Sequence, residues 1–95
     1  MYASIRRYQA SDVTEIMARI KEGFVPIIAG TPGFVAYYAV DGNHGTVATV
    51  SIFETKEGAD ESNRRAAEWV RANIAELVIG PPEIIIGEAR VEATK

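Results

Sequence analysis

Ninety-five residues, 47% of them hydrophobic and 24% charged, leave room for one globular domain spanning 1–95 and for no second core. Zero cysteines exclude disulfides and thiolate chemistry, one histidine excludes a multi-histidine metal site, and scattered acidic residues form no calcium loop, so neither metal nor cofactor is expected. A net charge of −3, with Arg6-Arg7 and Arg64-Arg65 as the only basic doublets, argues against nucleic acid as a partner.

In chain order, YASIRRYQ (2–9) places β-branched or aromatic residues at alternate positions and predicts a first strand. Ser11 or Asp12 can cap a following helix, with Glu15 completing a capping box, and Val13, Ile16, Met17, Ile20 and Phe24 fall on one face of it. Gly23 and Pro26 are expected to disrupt its end and to make VPIIAGTPG an irregular connector with room for one more helical turn. FVAYYAV (34–40) and TVATVSIF (46–53) read as strands two and three, joined by DGNHG, whose residues tolerate positive φ; together they predict a β-hairpin.

Thr55 can cap a second helix over 56–78, with Ala59, Asn63, Ala66, Val70, Ile74 and Leu77 on its apolar stripe, and Pro81-Pro82 end it. IIIGEARVE (84–92) predicts strand four. The order β-α-β-β-α-β is that of a ferredoxin-like α+β sandwich: an antiparallel sheet of order 4-1-3-2 with both helices on one face. The strands carry apolar residues on both sides, so something must cover the second face, and the simplest cover is a second copy of the chain. A homodimer through the open sheet face is predicted. The opening MYASIRRYQ has no apolar h-region and no stretch approaches the roughly 18 residues of a membrane span; a cytoplasmic protein without a membrane partner is expected.

Four strings, in this order and spacing along the chain, carry a family resemblance: YASIRRYQ, GTPGFVAYYAV, SIFETKEGADESN and AAEWV. The chain resembles the dimeric α+β barrel proteins of the antibiotic biosynthesis monooxygenase (ABM) family. That resemblance implies a cavity between sheet and helices for a small apolar or aromatic molecule. It further implies, if the chain is an enzyme, cofactor-independent oxygenation in which an Asn and a Trp of the second helix and polar strand residues orient the substrate. Asn63 and Trp69 are of the right type and on the right helix. The haem-degrading branch of the family uses an Asn on strand one and a His on helix two, and this sequence has neither.

The candidate substrate-binding residues are Asn63, Trp69, Tyr37, Tyr38 and Arg7. Asn63 interrupts an apolar stripe, where a carboxamide costs about 1–3 kcal/mol unless hydrogen-bonded, so it either bonds a neighbour or meets a ligand. Trp69 lies beside the stripe with Ser62 and Asn73, positioned to wedge against the connector or the partner copy. Tyr37 and Tyr38 point to opposite faces, as do Arg6 and Arg7, whose guanidinium groups need a carboxylate such as Glu88 or Glu92, a phenolate or solvent. His44 reads as a solvated turn residue and GTPG as a turn. The alternative to an enzyme is a noncatalytic dimerisation or interaction module. The discriminator is whether small residues (Ala36, Ala39, Ala48, Gly87, Ala89) or bulky ones face the helices, since only the former leave space for a ligand.

Overall fold

Alternation along the first strand divides the sheet into two unlike faces. In the computed structural model, which describes residues 1–95, β1 (Tyr2–Ala10) buries Ser4, Arg6, Tyr8 and Ala10 on one side and turns Ile5, Arg7 and Gln9 to the other. The Asp12 carboxylate accepts from the Glu15 N–H at 3.0 Å and caps α1 (Val13–Arg19). The helix does not end at Gly23. A π-helical turn, Ile20–Phe24, leads into α2 (Val25–Ala29), so most of the predicted irregular connector is helical. The Val25 N–H reaches back to the Ile20 carbonyl, and the wider turn places Pro26 at the start of α2, where no amide hydrogen is required.

β2 (Phe34–Asp41) and β3 (Thr46–Phe53) form the predicted hairpin, turned by Asn43, His44 and Gly45 at φ of 67°, 52° and 81°. Thr55 caps α3 (Lys56–Asn73), its side-chain oxygen accepting from the Gly58 N–H. This helix stops at Asn73 rather than 78: Ile74 swings to φ −134° and a 3-10 turn, Ala75–Leu77, follows. β4 runs over Val78–Glu88, not 84–92, and so contains both prolines. They are tolerated because β4 is an edge strand, and its register against β1 shifts between Arg7 and Gln9.

The sheet is antiparallel with order β2-β3-β1-β4, the ferredoxin-like topology expected. Ile16, Ile20, Phe24 and Ile28 from the first helical segment and Ala59, Ala66, Trp69 and Ile74 from α3 and its end close over Tyr8, Val47 and Phe53 of the sheet. On the other face the register aligns Tyr38, Val50, Ile5 and Ile85, one apolar residue per strand. Tyr38 is 60% and Ile85 66% exposed in the single chain. No helix is long and apolar enough to cross a membrane.

Candidate functional site

Arg6 stands on the covered side of β1, in a row of buried polar residues with Ser4, Thr49 and Ser51. It is 6% exposed, and its Nη1 donates to Asn63 Oδ1 of α3 at 2.6 Å. No carboxylate pairs with it, and its Nε has no hydrogen-bond partner. Burial pulls its pKa down, with the nearby Tyr8 and Tyr37 opposing that pull. Burial likewise pushes the Tyr8 and Tyr37 hydroxyls up. An unpaired buried guanidinium costs several kcal/mol in a finished core, so its retention points to a function. Because a guanidinium can only donate, Asn63 must offer it the carbonyl, which leaves the Asn63 Nδ2 amide as an unused donor.

Two spaces border Arg6. Beneath the helices, between Tyr8, Phe24, Tyr37 and Trp69, the void is about 10 Å³, the room of one water molecule. Bulky rings leave little room at this point between sheet and helices: Phe24 lies 5.6 Å from Tyr37 and 5.4 Å from Trp69, centroid to centroid. The other space is a cleft of about 470 Å³ between α3 and β4, within the range of small-molecule sites. Asn63, Ala67, Val70 and Arg71 supply its helical side. Val78, Pro82 and Ile84 supply the strand side, and Arg6 lies at the buried end. The early end of α3 and the turn through Gly80, at φ +75° with no atom within 4 Å of where a Cβ would stand, leave this side of the molecule open.

The five candidate residues separate. Asn63 lines the cleft, on the flank of α3 rather than at the centre of its buried face, which is formed by Ala59, Ser62, Ala66 and Trp69. Trp69 therefore belongs to the core and packs on Gly23, where a Cβ would come within 3.2 Å of the indole. Tyr37 faces the helices and borders the small void. Tyr38 and Arg7 lie on the bare face, away from both spaces, and Arg7 pairs with Glu83 at 2.6 Å rather than with Glu88 or Glu92. Of the small residues whose facing was left open, Ala39 alone is beside the helices, opposite Thr49; Ala36, Ala48 and Gly87 pair with Ile52, Arg7 and Ala3 on the bare face, and Ala89 lies past β4. The sequence reading weighed Arg6 with Arg7 but chose Arg7 as the candidate, and it did not consider Arg71. The alternation Ser4, Arg6, Tyr8 was its one usable signal, because a cation in the middle of a strand that faces helices requires a reason.

The chain matches no protein-family model and no curated protein. Its fold matches solved structures over nearly the whole chain. NE2512, a protein of unknown function from Nitrosomonas europaea, superimposes with a TM-score of 0.77 at 21% identity, over 99% of this chain and 93% of that one. A monooxygenase from the ActVA-Orf6 gene of Streptomyces coelicolor, in complex with the ligand nanaomycin D, gives 0.76 at 16% identity, over 99% and 91%. SnoaB, a cofactor-independent oxygenase from Streptomyces nogalater solved as an asparagine-to-alanine mutant, gives 0.74 at 11%, over 99% and 97%. The chain thus has the ferredoxin-like fold of ABM-like proteins.

Proposed function

We propose that this chain is a cytoplasmic, single-domain homodimer of ABM type that binds a small apolar or aromatic molecule in the α3–β4 cleft and oxygenates it without a cofactor. The observation that carries the reading is Arg6: a buried guanidinium without a carboxylate, held by Asn63, at the inner end of a ligand-sized cleft. Such a group stabilises an oxyanion, here the phenolate or enolate that forms when an acidic substrate carbon or hydroxyl loses its proton. Asn63 Nδ2 is free to donate a second hydrogen bond to the same oxygen. The ionised substrate is the electron donor to dioxygen. For an anthrone the reaction balances as one methylene oxidised to a carbonyl, one oxygen atom retained and the other released as water. The bare row Tyr38, Val50, Ile5 and Ile85 supports the dimer, since two such faces cover each other in one isologous interface.

The test is oxygen uptake with an anthrone in metal-chelated buffer, with the quinone product identified by mass. The wild-type chain is expected to turn over and Asn63→Ala to lose about 10²-fold in kcat, the cost of one oxyanion donor. Turnover that Asn63→Ala leaves unchanged removes Asn63 from the site. Absence of turnover together with a filled, inaccessible cleft favours the second reading, a noncatalytic dimerisation module. That reading rests on the nearly closed interior under the helices.

A further inference from the structure

The proposed cleft gathers the two arginines of the helices and strands that no carboxylate neutralises. Arg7, Arg19, Arg64 and Arg65 are each paired with a carboxylate: Glu83; Glu15 and Glu76; Glu61 and Glu68; and Glu61. Within the helices and strands, Arg6 and Arg71 are the arginines without one, and both line the α3–β4 cleft. None of the chain's thirteen acidic residues lines it. A protein of net charge −3 therefore carries a cleft with two uncompensated positive charges.

The two charges differ in setting. Arg6 is buried at the inner end, whereas Arg71 is exposed. Asn63, Ala67 and Arg71 recur every four residues along one face of α3, so Asn63, which holds Arg6, and Arg71 stand about 12 Å apart along the helix axis. Between them the lining is small or apolar: Ala67 and Val70 on the helix, Pro82 and Ile84 on the strand. A long apolar floor with a cation at each end matches an elongated ligand with an acidic group at each end.

Resting on the small-molecule reading of this cleft, we infer that its ligand is an amphipathic bifunctional acid: a flat apolar body whose inner oxygen meets Arg6 and Asn63 and whose outer, permanently ionised group, a carboxylate, meets Arg71. Arg71 then sets both the selectivity for charged over neutral ligands and the direction in which the ligand enters. Its guanidinium can take a carboxylate in a bidentate pair, which a lysine ammonium cannot reproduce.

The experiment compares 6-hydroxy-2-naphthoic acid with 2-naphthol, which share the ring system and hydroxyl and differ in the distal carboxylate, by calorimetric titration at neutral pH. The wild-type chain is expected to bind the hydroxynaphthoate about tenfold more tightly than the naphthol. Arg71→Ala collapses that ratio to within about twofold and Arg71→Lys keeps part of it. Raising the ionic strength from about 0.05 to 0.5 M shrinks the wild-type ratio, because the outer contact is exposed to screening. A ratio near one in the wild type, or a ratio that survives Arg71→Ala, overturns the inference while naphthol binding leaves the cleft itself standing. If neither compound binds, the small-molecule reading falls and this inference falls with it.

Discussion

The two faces of one sheet each carry one row out of keeping with its surroundings. The face covered by helices carries Ser4, Arg6, Thr49 and Ser51, all buried, whereas the uncovered face carries Ile5, Val50, Tyr38 and Ile85, two of them more than half exposed. In a self-sufficient monomer neither row is favoured, because apolar area gains about 25 cal/mol per Å² on leaving water and a buried cation loses hydration. The two rows teach that each face is completed by something outside the single chain. A second sheet suits the uncovered row, and an anionic ligand suits the arginine that reaches the cleft from the covered one.

The largest effect is expected on the bare face. Ile85→Asp puts a carboxylate on the bare row of the proposed interface, where an unpaired buried charge costs about 3 kcal/mol or more. Sedimentation should show the dimer weakened by over 100-fold and a folded monomer of 10.3 kDa in its place. A variant that remains dimeric at micromolar concentration breaks the comparison on that side. On the covered face, Arg6→Met should remove ligand binding by about 100-fold or more while leaving thermal stability equal or higher, since an unpaired guanidinium gives way to an apolar chain of similar length. Loss of stability instead would make Arg6 a structural residue and not a ligand-binding one.

Gly58 reports how tightly the helices seat on that face. An added Cβ would stand 2.8 Å from the Pro32 carbonyl oxygen and 2.8 Å from the Phe53 ring. Gly58→Ala should therefore destabilise by about 1–3 kcal/mol in urea unfolding, although alanine is the better helix former. The smallest effect is in pH. Burial raises the pKa of Tyr8 and Tyr37 in the folded chain, so above about pH 10 the unfolded chain releases these protons first. Their contribution is complete below that pH and is lost as pH rises through the folded values. Tyr37→Phe should make the alkaline fall in urea midpoint shallower by up to one proton's worth, about 1.4 kcal/mol per pH unit. An unchanged slope would mean that Tyr37 ionises as readily folded as unfolded.

Element order was legible because each element carries local chemistry. Asp12 and Thr55 cap their helices through side-chain oxygens, and Asn43, His44 and Gly45 accept the positive φ that the hairpin demands. The ends of elements were less legible. A proline pair ends a helix or sits in an edge strand according to where that strand begins, and the start at Val78 follows only from its pairing with Ala10 of β1. The π-turn at Ile20–Phe24 was likewise hidden, since it answers Pro26 and the indole of Trp69, forty-six positions from Gly23.

The sequence by itself determined the fold class, the strand order and the surplus of apolar surface, because periodicity, caps and turn residues act over a few positions and right-handed crossovers leave one way to connect them. Asn63 as a residue to explain was also local, being a carboxamide amid apolar neighbours. The tertiary structure decided the site. Register chose Arg6 over Arg7, ring packing closed the interior, and the early end of α3 beside an edge strand opened the cleft. A one-residue change in strand phase exchanges the two faces, and a few degrees of helix rotation exchange core for flank. Those quantities are fixed by long-range packing and by nothing within a window of sequence.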